Sequence, residues 1–429
     1  MANSSTILNE SQMAAMNAVE HGGRNVLILG SAGTGKSTFI KHLKTMSNKR
    51  VIMACPTAVS ALNIGGQTIH SMFQIAPRDF ILPDFLKLKS KVRNVLAGAD
   101  LLIIDEISMV SPDLLDGMDI LCRQARKNQE PFGGLQILAI GDLFQLPPVI
   151  SRAAEPFYEQ EYGIRNAYFF DSHVYKRADF TLMKFDHIYR QHDDELLHHL
   201  TSLRGGFCAN AITFFNGLKI DCETRRKNAV LITPFRAVAE NINNKRLSEI
   251  NAPEVLYRGI LEGNFADKDL PAPQELILKV GTLVVFTKND SGKQRWHNGS
   301  MGIVRELGKE IKVELLDTRE VVEVKQEKWE KIEYIPGDDN TMLESPSGSY
   351  TQFPLMLGWA MTIHKAQGKT LDAVVIDMSR GAFTHGQTYV ALSRTRSAAD
   401  MHISTALRDR DVIFDQRVIE FCNGGICDE

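Results

Sequence analysis

No apolar run in this sequence approaches the roughly 18–20 residues that a bilayer-spanning helix requires, so a membrane-embedded protein is not expected. Residues Met1 to Gln12 are polar and lack the charged-then-apolar layout of a secretory leader. A reducing, cytoplasmic setting in a bacterial or viral host is therefore expected. Cysteine is scarce, with six in 429 residues. Cys55, Cys122, Cys208 and Cys222 are scattered through apolar or helical stretches and read as reduced packing residues. Cys422 and Cys427 bracket a Gly-Gly pair, and a zinc site would need more ligands at closer spacing. Basic excess is missing too. The net charge of −3 excludes a whole-surface electrostatic footprint for a polyanion, so any nucleic acid has to be held in a local groove.

What is present is ordinary in bulk and specific in pattern. Hydrophobic residues make up 44% and charged residues 24%, as in globular proteins, and the length suits two or three domains. Apolar runs at Asn25–Leu29, Val51–Ala54, Leu101–Ile104 and Gln136–Ile140 alternate with helical patterns. That alternation predicts an α/β fold with a parallel sheet and helices on both faces, in which binding loops follow the carboxyl ends of strands. A second strand-and-helix set is expected to begin near Phe180, including Ala229–Thr233, Ala373–Met378 and Met401–Ser404. Between about Tyr257 and Tyr350, short β-rich pieces separated by Asn-Gly and Gly-Lys turns predict an inserted small β-barrel.

Gly30-Ser31-Ala32-Gly33-Thr34-Gly35-Lys36-Ser37 stands between the first strand and a helix, the context that a phosphate-binding loop requires. Glycines let backbone N–H groups converge on phosphate oxygens, and the helix N-terminus adds partial positive charge. Gly33, Thr34, Gly35, Lys36, Ser37 and Thr38 are the candidate nucleotide ligands. Lys36 is expected on the β- and γ-phosphates and Ser37 on Mg²⁺. About 70 residues later the run Leu101–Ile104 ends in Asp105 and Glu106. Asp105 suits the Mg²⁺ shell, and Glu106 is placed to orient and deprotonate an attacking water. The turn Gly141–Pro148 offers Gln145 as a γ-phosphate sensor, with an ordinary turn as the equal alternative. Arg190 and Arg394 are candidates for the positive charge that phosphoryl transfer needs, although a lone arginine is as readily a surface or ion-paired residue.

Phosphate contacts that carry no sequence information suit hydroxyls, imidazoles and cations at strand ends. Thr57, His70 and Ser71 in the first half, and Thr362, His364 and Lys365 in the second, have that placement. Either histidine alone reads more simply as a satisfied buried one, but their occurrence in matching segments of two halves favours contact. Arg78–Arg93 interleaves aromatics with five basic and two acidic residues. It suits single strands through stacking and charge, or an amphipathic surface helix.

Taken together these segments resemble the superfamily-one helicases of the Pif-type and RecD-like branch. The similarity runs from Leu8 to Arg396 and includes Leu8–Gln12, Cys55–Ala61, Gly66–Ser71, Asp105–Met109, the Pro112–Arg126 stretch, Tyr189–Gln191, Thr362–Thr370 and Gly386–Arg396. The resemblance implies two RecA-like domains with ATP between them. The first is expected over residues 1–179, with a small wedge insertion at about 72–93. The second is expected over 180–256 and 351–429, interrupted at 257–350 by an SH3-like β domain. It further implies that Gln12 reads adenine, that Gly368 lies near the γ-phosphate, that Arg190 and Arg394 act as arginine fingers, and that Arg78 stands in the wedge. The implied activity is ATP- and Mg²⁺-dependent unwinding of tailed or forked DNA, by 5′-to-3′ movement on a single strand, by a monomer or a dimer formed on DNA. The branch acts in replication, repair, recombination and telomere maintenance. A translocase that remodels nucleoprotein without unwinding, and an inactive nucleic-acid clamp, are the alternatives. In one place the chain departs from the pattern: Phe235-Arg236 stands where many relatives carry Thr-Asn.

Overall fold

In the computed structural model the described residues are 8–76, 78–81, 83, 86–191, 193–220, 223, 227–263, 270–290, 295–336, 342–378 and 380–424. The first half builds a six-stranded, wholly parallel sheet. Its strands are β1 (Asn25–Gly30), β2 (Val51–Cys55), β3 (Gln67–Thr68), β4 (Leu101–Ile104), β5 (Gln136–Gly141) and β6 (Phe180–Phe185), in the spatial order β3-β2-β4-β5-β1-β6. Helices cover the faces, so the central strands are apolar on both sides: all four residues of β4 and all six of β5 are buried. Phe39, Ile40 and Leu43, from helix α2 (Lys36–Met46), join Val26, Ile28, Ile103 and Ile140 in one cluster.

The expected boundary near residue 180 is displaced. β6 pairs in parallel with β1 along its whole length and so completes the first sheet rather than opening the second. Its exposed Thr181 and Leu182 reflect its edge position, where one face lacks a covering helix. By compactness the chain forms two units. The first comprises 1–143, 147–188 and 330–348; the second comprises 144–146, 189–329 and 349–429.

The second unit contains a smaller parallel sheet of β7 (Val230–Thr233), β18 (Ala360–Thr362), β19 (Val374–Ile376) and β20 (Met401–Ile403), ordered β18-β7-β19-β20. Between β7 and β18 lies the β-rich region. Its members are β8 (Val255–Arg258), β9 (Ile260–Gly263), β10 (Glu275–Leu278), β11 (Leu283–Phe286), β12 (Met301–Glu306), β13 (Ile311–Leu315), β14 (Val321–Val324), β15 (Glu327–Pro336), β16 (Met342–Gln352) and β17 (Leu355–Leu357). An antiparallel sheet ordered β14-β13-β12-β11-β17 encloses Val284, Phe286, Trp296, Val304, Val313 and Phe353. The burial of β13 alternates along Ile311–Leu315, the period of a strand with one face on the core.

Sequence patterning misses the affiliation of residues 330–348, whose described members belong to β15 and β16 yet group with the first unit. Among the described residues β2 meets β3 only at Ala54 and Cys55, and the preceding backbone on that side has no described strand partner. The Tyr334 hydroxyl supplies one, accepting from the Met53 N–H at 3.1 Å, and Tyr334 is itself enclosed. Lys44 pairs with Glu344 at 2.7 Å, and Lys91 pairs with Glu333. Tyr334→Phe strands the buried Met53 N–H and should destabilise the fold by about 1–3 kcal/mol, read from the denaturant midpoint. An unchanged midpoint removes the hairpin's assigned role at that edge.

Candidate nucleotide and nucleic-acid site

The phosphate loop follows β1 and opens α2. Gly35 is the N-cap residue of that helix, at φ 80°, a left-handed conformation that a side chain disfavours. Thr34 is enclosed and donates from Oγ1 to the Ser31 carbonyl at 2.9 Å, closing the loop on itself. The Lys36 Nζ lies within the loop, donating to the carbonyls of Gly30 at 2.8 Å and Ser31 at 2.9 Å. Ser37 and Thr38 are exposed in the first turn of α2. Gln12 belongs to α1 (Glu10–His21), and its side chain is committed at both ends. Oε1 accepts from the Asn9 N–H at 3.2 Å and Nε2 donates to the Thr34 carbonyl at 3.4 Å, which ties the helix start to the phosphate loop.

Asp105 and Glu106 emerge from β4, which flanks β5 on the side opposite β1. Asp105 is buried and accepts the Glu106 N–H on Oδ1 at 2.9 Å. Burial pushes its carboxyl up to about 7, the Glu106 carboxylate adds to the rise, and that N–H and Lys36 oppose it. Glu106 has φ 52°, a costly conformation for a side-chain-bearing residue and one typical of functional turns. The Ser37 hydroxyl and Asp105 carboxylate are hard oxygen donors of the kind Mg²⁺ takes beside nucleotide phosphates, and a buried carboxyl next to a half-buried one is charge that a cation neutralises. Among the described residues no cluster of three His, Cys, Asp or Glu forms a metal site of its own.

The remaining nucleotide candidates lie in the second unit. Gln145 is buried within the three-residue segment Phe144–Leu146. Arg204, which the sequence reading missed, places its guanidinium 4.4 Å from the Phe144 ring and donates to the Tyr389 hydroxyl at 3.1 Å. Arg190 is half-buried, and the neighbouring Gln191 Nε2 donates to the Ser393 and Thr395 carbonyls at 3.3 and 3.4 Å. Arg394 is fully enclosed. It donates to the carbonyls of Val390 at 2.5 Å, Ala366 at 3.4 Å and Lys369 at 3.3 Å, and to the Ser393 hydroxyl. Arg394 therefore pins the Thr362–Thr370 segment to the helix Gln387–Leu392.

That segment is also held from the antiparallel β region. The Lys369 Nζ donates to Asn298 Oδ1 at 2.7 Å. Gly299, at φ 105°, approaches so closely that an added Cβ would stand 2.2 Å from the Thr370 carbonyl oxygen. Burial, helped by Lys365, lowers the Lys369 ammonium to about 8. Gly368 is exposed at the adjoining bend, with φ 76°.

The nucleic-acid candidates share one local device. Thr68 ends β3 and caps α4 (Ile69–Phe73), its Oγ1 accepting the Ser71 N–H at 3.2 Å. Thr362 ends β18 and caps the turn Ile363–Ala366, its Oγ1 accepting the Lys365 N–H at 3.3 Å. Both are Thr-Ile-His, so both sheets present an imidazole two residues past a threonine cap. The His70 Nδ1–H donates to the Ile75 carbonyl at 3.2 Å, while His364 and Lys365 are exposed. Thr57 caps α3 (Ala58–Ile64): its Oγ1 accepts the Ser60 N–H at 3.2 Å and donates to the Ser60 hydroxyl at 2.8 Å.

The wedge segment is only partly described, since Pro77, Leu82, Asp84 and Phe85 lie outside the described residues, as do Cys222 and Cys427. Arg78 is exposed. Phe80 does not face solvent as a stacking platform. It packs on Phe157, Tyr158 and Tyr162 at ring separations of 5.8, 4.9 and 6.3 Å. The Ile81 N–H donates to Asp113, at the start of α6 (Pro112–Arg126), at 2.8 Å. The only regular helix of Arg78–Arg93 among the described residues is its last part, where α5 (Ser90–Gly98) begins.

Two parallel sheets, a phosphate loop and an acidic strand end define a P-loop nucleoside triphosphatase. The Pif1-like helicase family matches residues 7–201. The chain is 30% identical to the ATP-dependent DNA helicase Pif1 of Bdellovibrio bacteriovorus, over 96% of this chain and 91% of that one. A crystal structure of Bacteroides Pif1 with ADP-AlF4 superposes with a TM-score of 0.89 at 34% identity, covering 97% of each chain. Bacteroides Pif1 bound to single-stranded DNA gives 0.69 at 35% identity, again covering 97% of each. The chain belongs to the Pif1-like helicase family.

Lys369 and Arg394 carry separable expectations. A lysine whose ammonium is lowered on folding favours the unfolded state wherever that state holds the extra proton. Stability should therefore rise with pH from about 8 towards the ordinary lysine value of 10.5. Lys369→Met should abolish that rise in denaturant titrations across this range; a wild-type curve that is flat there contradicts the assigned burial. Arg394→Ala should cost on the order of 3 kcal/mol of stability as well as turnover, because it strands buried carbonyls. Arg190→Ala should cut kcat with little change in melting temperature, and equal stability losses from the two would refute the distinction.

Proposed function

We propose that this chain is an ATP-dependent DNA helicase that translocates 5′ to 3′ on single-stranded DNA and opens tailed or forked duplex. The observation that carries the reading is the pairing of two features. A phosphate loop holds the Lys36 ammonium in its concavity, and a buried Asp105 followed by a half-buried Glu106 stands at the end of a strand of the same sheet. That is the equipment of phosphoryl transfer to water, in which the protein's work is positioning and charge stabilisation.

In this reading the loop N–H groups and Lys36 bind the phosphates, and Ser37 and Asp105 hold Mg²⁺. Glu106 orients the attacking water and takes its proton. A Mg²⁺ held there would supply neutralisation of the phosphate charge. Gln12 contacts adenine, and Gln145 and Gly368 report on the γ-phosphate. Arg190 and Arg394 supply transition-state charge, for which Arg394 has to exchange its carbonyl partners. Thr57, His70, Ser71, Thr362, His364, Lys365 and Arg78 hold the DNA backbone. The recurrence of a capped Thr-Ile-His turn in both sheets supports a track that each sheet grips by the same chemistry. The 5′-to-3′ polarity, the cytoplasmic setting and monomeric action, or pairing on DNA, follow from the family resemblance. The wedge role of residues 72–93 rests on the same resemblance and on the anchorage of Phe80 and Ile81 to the first unit.

Lys36→Ala should abolish ATP hydrolysis while preserving the melting temperature, because its half-buried side chain lies in the phosphate loop rather than in a core. Wild-type protein should open a duplex with a 5′ single-stranded tail and leave 3′-tailed and blunt duplexes closed, in single-turnover assays with ATP and Mg²⁺. Undiminished turnover by the variant overturns the ATP site. Opening of the 3′-tailed substrate alone overturns the polarity. ATP-dependent movement along single strands without strand separation would favour the translocase reading instead.

A further inference from the structure

Residues at the carboxyl edge of the second unit's sheet go beyond backbone-phosphate contacts. β18, β7 and β19 lie side by side, with Thr362 paired in register to Thr233 and Ile376 to Ile232. The chain leaving each strand therefore emerges next to its neighbours. From β18 come His364 and Lys365. From β7 come Phe235 and Arg236, and from β19 come Asp377, Arg380 and Phe383. The Phe235 and Phe383 rings stand 6.0 Å apart, tilted by 44°, and the Arg380 guanidinium lies 5.6 Å from the centre of the Phe235 ring. Phe383 is 60% exposed and Phe235 is half-exposed, so each ring keeps surface for a ligand.

Neither ring hangs on a loose tether. Phe235 is the N-cap residue of the helix Arg236–Ser248, and its carbonyl accepts the Ala239 N–H at 3.3 Å. The Phe383 N–H donates to Oε1 of Gln387, a fully enclosed side chain, at 3.1 Å. The positive groups at this edge are Arg236, Arg380 and Lys365, with His364 beside them. The acidic ones are Asp377 and Glu240, the latter bonded to Arg236 at 2.6 Å. An aromatic pair with an arginine over one ring, set in a net positive edge, is the surface that stacks unpaired bases while cations follow their phosphates.

We propose that Phe235 and Phe383, with Arg380, form a base-stacking platform for single-stranded DNA, continuous with the Thr362–His364–Lys365 backbone contacts. This rests on the helicase reading above and specifies how the track is gripped where Phe235-Arg236 departs from the family pattern. The platform recognises the π-face of any base, so it is indifferent to sequence.

The test measures affinity by fluorescence anisotropy at one salt concentration, for an oligothymidylate and for an abasic oligonucleotide of equal length. Stacking predicts that Phe383→Ala weakens oligothymidylate binding by about 5- to 100-fold. Abasic binding should be affected far less, so that the wild-type preference for bases shrinks; Phe235→Ala should act in the same direction. Phe383→Trp should retain affinity, with its indole emission quenched on binding. Arg380→Ala should weaken both oligonucleotides alike and lower the salt dependence by about one ion. Equal loss on both oligonucleotides from Phe383→Ala, or no loss from either phenylalanine variant, overturns the platform. Unquenched Phe383→Trp that still binds DNA overturns it as well. If wild-type protein itself neither binds nor opens DNA, the helicase reading fails; if it does both and the phenylalanine variants match it, only the platform fails.

Discussion

Parallel pairing places every strand's carboxyl end at one edge of its sheet, and the chemistry of this protein depends on that constraint. In the first unit β1 delivers the phosphate loop, β2 and β3 deliver Thr57 and His70, and β4 delivers Asp105 and Glu106. Each of these is polar, and each follows a strand that is almost entirely enclosed. The buried runs supply rigidity, and the loops supply function without burdening the core with unpaired backbone. The second unit repeats the arrangement with four strands, so the capped Thr-Ile-His turn recurs in an equivalent position. Two loops of unrelated length are brought to the same local geometry by one threonine hydroxyl.

Buried charge is the second theme, and it falls into two kinds. Arg394 is surrounded by acceptors, and its several carbonyl bonds make it a clamp between a helix and a functional segment. Lys369 and Asp105 are less well compensated, and burial moves both away from their ordinary titration ranges. Such groups cost stability and persist where something is gained by the strain. At Asp105 the gain, in the helicase reading, is a carboxylate for a cation. At Lys369 it is a physical link from Asn298 of the β-rich region to the segment that carries His364 and Lys365. The β-rich region is thus fastened to the part of the second unit that faces both fuel and track in the helicase reading.

Much of this was legible in the residues. Four strands of the first sheet and three of the second stand where apolar runs end in turn or acid signals, while the short β3 and β18 carry no such run; the phosphate loop lies between the strand and helix that its pattern demands. What escaped has physical causes. β6 was assigned to the wrong sheet because an edge strand's half-exposed pattern says nothing about which neighbour it will pair with. Phe80 reads as a displayed aromatic in the sequence, yet three rings from the helix Glu155–Tyr162 and its neighbourhood take it inward, a contact between segments some 75 residues apart. Arg204 gives no sequence signal at all, since nothing near it in the chain marks it as the cation over Phe144. The hairpin's return to the first unit was equally silent. Its strands have the same alternating texture as the β-rich region from which they extend.

That hairpin has a consequence for how the protein comes into being. Tyr334 closes the open side of β2, but it lies beyond roughly 140 residues of intervening second-unit chain. At about 5–20 residues per second, the ribosome needs on the order of ten seconds to supply it after the first sheet's last strand has been made. During that interval the nascent first unit carries an unsatisfied strand edge, the feature most prone to pairing with the wrong partner. A gene cut after residue 188 would make that condition permanent. The first unit is contiguous in space but not in the message, and its completion waits on the synthesis of most of the second.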